Sequence, residues 1–349
     1  MNDKTLNTVV LAGLLHDVGK LYQRLSYGTG TKKYHGELSK EFAEGIIIRI
    51  WANIDDYVDK DLLSELVYFH HARKIEANNT SQEGVKNLMH LVSEADNISA
   101  KERQDIDKGI EEREFNLYSV FSNLSYQNID DKCHHNCYLQ SPLWPQFFDT
   151  SNYEKDVFND FANELKVLSP PEKKYRFWQG FNMVYNFILR IGFFLPDFTL
   201  HPCPDTSLFV HSSLCSAFCG CLYKYHKANG SLNRSGIEDK KKKKFILYKG
   251  GLTPVQKFLF DISRENPKGV AKILRGKSLL ISLWTEAVAY SILYKLNLPV
   301  VNCLMKSGTN FILVLPNTEE TYDVIKNVEE KVKEFLLYRL LGKINYASY

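Results

Sequence analysis

Apolar residues recur at helical spacing through residues 1 to about 105 of this chain. The run Val9, Val10, Leu11, Leu14 and Leu15 predicts a helix that begins near Thr5 or Asn7 and is buried on most sides. Further helices are predicted at Tyr34-His35-Gly36, at Leu62–Phe69 and at Leu91–Ser99. This part of the chain is therefore expected to be an all-helical domain.

The pattern changes to alternating strands and helices in the last third of the chain. A strand at Lys244–Lys249 ends at Gly250-Gly251, and two later strands are joined by the turn-like Lys306–Thr309, which predicts a hairpin. The order β-α-β-β-α-β, with one extra helix, is that of a ferredoxin-like sheet backed by helices, as in nucleotide cyclase and polymerase palms. The remaining predicted elements are helices at Thr253–Arg264, Ser278–Leu296 and Tyr322–Leu341 and strands at Pro299–Met305, Asn310–Leu315 and Ile344–Ala347.

The segment between these two parts has a looser pattern, with short strands and helices near Asp156–Leu165, Tyr175–Leu195 and Leu208–Tyr225. The sequence thus predicts an α+β protein with three parts. These are an all-helical domain over 1–106, a helical linker region over 107–243 and a ferredoxin-like palm over 244–349.

The chemistry-bearing motif is Leu14-Leu15-His16-Asp17-Val18-Gly19-Lys20. Ionisable residues at the end of a buried apolar helix need partners, and a divalent cation is the simplest one. A neutral imidazole from His16 and a carboxylate from Asp17 suit manganese, iron, nickel or zinc better than calcium. In a continuing helix Lys20 shares their face and can neutralise a phosphate oxygen. A metal-dependent phosphoesterase is the first hypothesis.

Other candidate metal ligands lie on successive predicted helices. His35 opens the second, His70 and His71 follow the third, and Asp96 lies on the fourth. Each stands beside apolar residues that place it inside a helical bundle. The order of these residues along the chain, His-Asp, then His, then His-His, then Asp, resembles that of the HD superfamily. In that superfamily helices from across the domain converge on one or two metals.

A narrower resemblance is carried by the HD motif, by Ala95–Arg103 and by four palm segments. The palm segments are Gly250–Gln256, Leu274–Ser278, Ser307–Phe311 and Leu315–Thr318. Together they resemble the N-terminal half of the large subunit of type III-A CRISPR-Cas (Csm) effector complexes. The resemblance implies an HD domain that cuts single-stranded DNA with a divalent metal, for which we expect manganese, with nickel, cobalt or iron as alternatives.

In the palm, the resemblance implies a nucleotide site, with ATP as the expected ligand at the palm interface. Glycines at a strand end let a backbone approach phosphates, and Arg275 and Lys277 offer positive charge. Leu252 stands where the family usually has Asp, and Pro254 stands where a small flexible residue is common. The candidate nucleotide-binding residues are Gly250, Gly251, Arg275, Lys277, Ser278, Ser307 and Gly308.

The family's cyclase motif, Gly-Gly-Asp-Asp on a second palm, does not occur in these 349 residues. A split subunit, a truncated chain or a reduced derivative would each have this sequence. We therefore expect no cyclic oligoadenylate synthesis by this chain alone. The implied partners are single-stranded DNA, the effector subunits that hold the guide RNA, and a second chain or missing segment that supplies the other palm.

Composition agrees with a globular protein: 44% of the residues are hydrophobic and 24% are charged. A formal net charge of +3 is too small to argue for nucleic-acid binding by itself. The apolar run Phe187–Leu195 is too short to span a bilayer, and no signal-peptide pattern is present, so we expect a cytoplasmic protein without membrane contact. Seven cysteines, an odd number, favour reduced thiols over a disulfide framework.

The hypothesis from sequence is a metal-dependent HD nuclease joined to a palm that docks onto other protein. His16, Asp17 and Lys20 are the predicted catalytic residues. Two other classes stay open at this stage: a free-standing HD phosphohydrolase that acts on nucleotides, and a non-catalytic scaffold subunit. The predicted metal ligands are His16, Asp17, His35, His70, His71 and Asp96.

Overall fold

The computed structural model describes most of the chain. The described residues are 3–21, 33–47, 51–100, 117–118, 136–141, 144–146, 174–193, 195, 197, 206–261 and 269–349. The predicted helix near Asp156–Leu165 lies outside them. Contacts divide the chain into two units, Met1–Cys219 and Gly220–Tyr349. The division predicted from sequence, with boundaries at 106 and 243, stays a prediction.

The first unit is built around one buried helix. Helix α1 (Lys4–Leu15) begins at Asp3, whose side chain accepts a hydrogen bond from the backbone N–H of Leu6, and it is buried from Leu6 to its last residue. It packs against α3 (Lys60–Tyr68) and α5 (Glu83–Ser99). The described helices of this unit are α1, α2 (His35–Phe42), α3 (Lys60–Tyr68), α4 (Ala72–Ala77), α5 (Glu83–Ser99), α6 (Phe177–Gly192) and the first half of α7 (Leu208–Ala228).

Short strands lie in the segment that was predicted as a linker. They form a three-stranded antiparallel arrangement in the order β1-β2-β3. Their bounds are β1 (Leu117–Tyr118), β2 (Asn136–Ser141) and β3 (Trp144–Gln146).

The second unit contains a four-stranded antiparallel sheet in the order β5-β6-β4-β7. Helices α10 and α11 pack on it, with a core that includes Phe311, Leu313 and Ile292. This strand order is the ferredoxin-like one, and the α+β prediction is confirmed. The elements are β4 (Phe245–Thr253), β5 (Cys303–Ser307), β6 (Asn310–Pro316), β7 (Asn345–Ser348), α8 (Arg234–Glu238), α9 (Val255–Phe260), α10 (Val270–Lys295) and α11 (Glu319–Leu340).

The predicted β5–β6 hairpin is present, and Ser307 pairs with Asn310 across it. The strand predicted to end at Gly250-Gly251 continues to Thr253. The helix predicted from Ser278 begins earlier, at Val270, so Leu274–Ser278 lie inside α10. The apolar positions on both sides of Gly276 continue at helical spacing, and the helix runs through it. The strand predicted at Pro299–Met305 also begins later, at Cys303, after a short 3₁₀ turn.

Candidate metal centre

The HD motif lies at the end of α1. The helix ends at Leu15, His16 is its C-terminal cap, and residues 16–18 form a turn before 19–21 become helical again. Both His16 and Asp17 are almost completely buried. Nδ1 of His16 lies 2.9 Å from the carbonyl oxygen of Gly13, which can only accept, so Nδ1 carries the proton. Nε2 is therefore the ring nitrogen that can bind a cation.

Four buried side chains converge at this position. Nε2 of His211 lies 3.1 Å from Oδ1 of Asp96 and 3.2 Å from Oδ2 of Asp17. Nε2 of His16 lies 3.4 Å from the same oxygen of Asp17 and 3.6 Å from Oδ1 of Asp96. We call these four residues the His-Asp group; their ligand atoms all lie within 4.8 Å of one another.

Three histidines form a second group beside the first. Nε2 of His35, at the start of α2, lies 3.1 Å from Nε2 of His70 and 3.0 Å from Nε2 of His71. His70 and His71 follow α3, and Nδ1 of His70 lies 2.7 Å from the carbonyl of Val67, which leaves its Nε2 for the group. His70 is buried, whereas His71 is partly exposed. We call these residues the three-histidine group.

Asp17 connects the two groups through different oxygens. Its Oδ2 faces the His-Asp group, and its Oδ1 lies 3.4 Å from Nε2 of His35 and 3.8 Å from Nε2 of His70. This geometry allows one carboxylate to contribute a ligand atom to each of two cations.

The donor set fits divalent metal ions. Oδ1 of Asp17 and Oδ1 of Asp96 are buried and accept no hydrogen bond from a described residue. A buried polar atom without a hydrogen bond costs about 1–3 kcal/mol, and more when it is charged. Carboxylate oxygens surrounded by imidazole nitrogens, rather than by donors of their own, are the arrangement that a transition-metal ion completes.

Protonation favours the same interpretation. Burial opposes charge on Asp17, but the ammonium group of Lys20 and the ring of His16 hold the pKa of this carboxyl well below its usual range. Burial lowers the pKa of His35 to about 4, and burial with the nearby His16 holds the pKa of His70 well below its usual value. Ionised carboxylates and neutral imidazoles are the forms that bind metals. His16 differs: against the effect of burial, Cys215 and Asp17 raise its pKa well above the usual value, so an ion bound at its Nε2 would displace a proton.

The structure brings together all six ligands predicted from sequence and adds His211. This histidine lies in the first half of α7, inside the segment predicted as a linker, and no short motif pointed to it. Its Nδ1 lies 3.2 Å from Oγ of Ser99 and 3.7 Å from Oδ2 of Asp197. These two residues orient the ring so that Nε2 faces the carboxylates. The available signal was a lone histidine on an apolar helix, which is weak evidence without the fold.

Lys20, predicted to bind phosphate, lies with its Nζ 2.5 Å from Oδ2 of Asp17. In this arrangement it neutralises the carboxylate. Its side chain is 17% exposed, so it lies at the edge of the buried cluster.

The candidate nucleotide residues of the palm fall into two sets. Gly250, Gly251, Ser307 and Gly308 lie at one end of the sheet, because Gly251 and Ser307 both pair with Asn310. Arg275, Lys277 and Ser278 lie within α10.

The two palm glycines have a packing explanation. A Cβ on Gly250 would come within 2.1 Å of Oη of Tyr346, and one on Gly251 within 2.4 Å of Oδ1 of Asn310. Neighbouring side chains therefore lie where a Cβ at either position would project. Lys277 donates to the carbonyls of Phe258 and Asp261 at the end of α9, at 2.8 and 2.7 Å. The predicted nucleotide role of these residues stays a prediction.

Comparison with protein families gives two domain matches. Residues 2–107 match the HD domain, and residues 244–348 match the Csm1 subunit domain B. The chain thus carries an HD domain and a Csm1 domain B. This combination corresponds to the N-terminal half of the type III-A large subunit, as the sequence motifs predicted. HD domains depend on metal ions, and the described residues contain a possible His/Asp metal site.

Similar proteins agree with these two domain matches. The chain is 28% identical over 374 residues to the "CRISPR system single-strand-specific deoxyribonuclease Cas10/Csm1 (subtype III-A)" of Methanocaldococcus jannaschii, which covers 96% of this chain and 44% of that protein. It is 25% identical to the protein of the same name from Streptococcus thermophilus, over 96% of this chain and 43% of the relative. The chain therefore spans less than half the length of these Csm1 relatives.

Solved Csm1 structures share the fold. The crystal structure of Csm1 from T. onnurineus superposes with a TM-score of 0.68 at 21% identity, and covers 99% of this chain and 44% of that chain. A Csm1–Csm4 cassette in complex with cA4 superposes with a TM-score of 0.70 at 20% identity, with the same coverage. Among the described residues, no helix is both long and apolar enough to cross a membrane.

Proposed function

We propose that this chain is the metal-dependent, single-strand-specific DNA nuclease part of a type III-A CRISPR effector complex. The observation that carries the proposal is the position of Asp17, whose two oxygens face two separate groups of metal-binding side chains. The name of the Csm1 relatives, single-strand-specific deoxyribonuclease, supports DNA as the substrate.

The His-Asp group would hold one ion and the three-histidine group a second, with Asp17 as a ligand of both. We propose manganese for these positions, with nickel, cobalt or iron as alternatives, because mixed imidazole and carboxylate ligands suit these metals. Divalent ions in such a site activate water for attack on phosphorus and polarise the phosphoryl oxygens.

Other groups of this chain orient the metal ligands and contact the substrate. Ser99 and Asp197 orient His211, and the carbonyls of Gly13 and Val67 orient His16 and His70. Lys20 at the edge of the cluster is positioned to contact the charge of a phosphodiester.

The palm is proposed to act as a docking domain. The solved relatives include Csm1–Csm4 complexes, which supports a neighbouring subunit of the guide-RNA-containing assembly as its partner. A second palm with the Gly-Gly-Asp-Asp motif would come from another chain or segment. A cytoplasmic location follows from this role, and ATP at the palm stays a prediction.

The test compares the parent protein with a His16→Ala, Asp17→Ala double variant. Labelled single-stranded and double-stranded DNA are incubated with each protein in Mn²⁺, and bound metal is measured by elemental analysis. The exposed Asp61→Ala serves as a matched control. We expect the parent and the control to cut single strands, and the double variant to lose both cleavage and metal.

The alternatives give different results. Hydrolysis of nucleotides by the parent, without any DNA cleavage, would identify a free-standing phosphohydrolase. A parent protein that binds no metal and cuts neither substrate would be a scaffold subunit.

A further inference from the structure

The side chain of Tyr34 lies against the three-histidine group. Its ring centroid is 4.7 Å from that of His35 and 6.0 Å from that of His71. It stacks on His70 with a centroid separation of 6.2 Å and an interplanar angle of 18°. The phenol is therefore part of the wall around these three imidazoles.

Packing holds the ring in one place. A Cβ on Gly36 would come within 2.4 Å of Cε1 of Tyr34, so the ring occupies the space that any other residue at 36 would need. Tyr68 meets the ring edge to face at 5.8 Å, and Nζ of Lys74 lies 4.7 Å from its centroid. The hydroxyl group is consequently preorganised.

The hydroxyl itself has no hydrogen-bond partner among the described residues, although its oxygen is buried. Buried hydroxyls nearly always have a partner, so an orphan beside a candidate metal centre points to a ligand. A phenol hydroxyl is a donor at neutral pH, because its ordinary pKa lies at about 10. A neutral hydroxyl held in one place is suited to donate to a negatively charged oxygen.

We propose that Oη of Tyr34 donates a hydrogen bond to a non-bridging phosphate oxygen of the phosphodiester bound at the three-histidine group. This inference rests on the proposed nuclease function, because it assigns a substrate-binding residue to that same site. The bond strengthens as negative charge grows on the phosphoryl oxygens during attack, so it contributes to the rate as well as to binding.

The test uses Tyr34→Phe, which removes only the hydroxyl, with Tyr68→Phe as the matched control. Tyr68 meets the same ring edge to face and lies near the same lysine, Lys74. Two properties are measured on the Mn²⁺-loaded 349-residue proteins: cleavage kinetics on single-stranded DNA (kcat and KM), and affinity for inorganic phosphate by equilibrium dialysis. Metal content and thermal melting verify that each variant is folded and loaded.

We expect Tyr34→Phe to lower kcat/KM by about 10-fold to 100-fold, as for loss of a hydrogen bond to a charged group. Phosphate affinity should fall in the same variant, while metal content and melting stay at the parent level. Tyr68→Phe should change neither quantity by more than about twofold.

The other outcomes decide against the inference or separate it from the nuclease proposal. Equal behaviour of the two variants, or a cleavage defect in Tyr34→Phe with unchanged phosphate affinity, would overturn it, as would a parent that binds no phosphate. Normal cleavage by Tyr34→Phe would overturn it while the nuclease function stands. A parent that cuts no DNA but binds phosphate through Tyr34 would refute the nuclease proposal and uphold the phosphate contact.

Discussion

Replacement of Gly13 by alanine tests whether the close crossing of α1 and α7 builds the metal centre. At this crossing Oγ of Ser216 donates to the carbonyl of Val10 at 2.7 Å. A Cβ on Gly13 would lie 2.8 Å from Sγ of Cys219, 2.9 Å from Cα of Ser216 and 3.1 Å from the backbone nitrogen of Ser216. Two of these three atoms belong to the backbone of α7, which cannot rotate away as a side chain can.

The cost follows from these distances. Ordinary van der Waals contact begins at 3.4 Å, so α7 must move outward by about 0.5 Å to accept the methyl group. Overpacking of this kind costs about 1–3 kcal/mol, and alanine recovers about 0.5–1 kcal/mol of helix propensity. We therefore expect a net loss of about 1–2 kcal/mol in the free energy of unfolding.

The same displacement reaches the metal centre. His211 lies on α7 a little more than one turn before Ser216, and its Nε2 is 3.2 Å from Asp17 and 3.1 Å from Asp96. Moving the helix outward separates these ligand atoms. We expect Mn²⁺ affinity to fall by about tenfold or more, comparable with losses caused by mispositioned ligands.

The assay combines urea denaturation with Mn²⁺ titration, and Gly84→Ala is the matched control. Gly84 lies in α5, where a Cβ would meet nothing within 4 Å, so alanine should stabilise the helix by about 0.5 kcal/mol. We expect the free energy of unfolding to fall in Gly13→Ala and to rise in Gly84→Ala. A Gly13→Ala protein as stable as the control variant, with parent-like Mn²⁺ affinity, would refute this reasoning.

Three further variants test the remaining claims. His211→Ala removes one of the four ligands of the His-Asp group, and Mn²⁺ titration should show the loss of one bound ion per chain. Asp197→Asn removes the charge that faces Nδ1 of His211 and should weaken Mn²⁺ binding by about 10-fold to 100-fold in the same titration, with little change in thermal melting. His226 is buried, and burial with the nearby Lys244 lowers its pKa to about 4 from an ordinary 6.5. Below pH 6.5 the unfolded chain binds a proton that the folded chain cannot, so stability falls by up to about 1.4 kcal/mol per pH unit until about pH 4. The stability advantage of the parent over His226→Gln, measured by melting at pH 7.5 and 5.0, should therefore shrink in acid, and a constant difference would contradict the assignment.

Local patterns in the sequence determined the elements and much of the candidate site. The apolar run of α1 predicts burial, and burial of His16 and Asp17 is the reason to expect a cation there. The order of strands and helices in the palm could be predicted because alternating and helical spacings of apolar residues are recognisable in short stretches of sequence. The hairpin at Ser307–Asn310 was predicted for the same reason.

Local patterns placed one helix boundary wrongly. The prediction starts this helix at Ser278, yet α10 begins at Val270 and runs through Gly276, because one glycine weakens a helix only slightly when neighbouring turns are packed. Gly250 and Gly251 have a packing explanation in the contacts of Tyr346 and Asn310, and their nucleotide role stays a prediction. The sequence alone cannot distinguish a glycine that leaves room for a ligand from a glycine that leaves room for a neighbouring side chain.

Tertiary structure decided which distant residues meet. His211 and Asp197 are more than a hundred residues from the HD motif, and only the packing of α7 on α1 brings His211 to Asp17 and orders its ring. Packing likewise turned the two oxygens of Asp17 toward different groups and placed Lys20 on one of them. The sequence by itself determined which side chains can bind a metal, because ligand chemistry belongs to the residue. The positions of those ligands depend on contacts between helices far apart in the chain, and no local pattern encodes them.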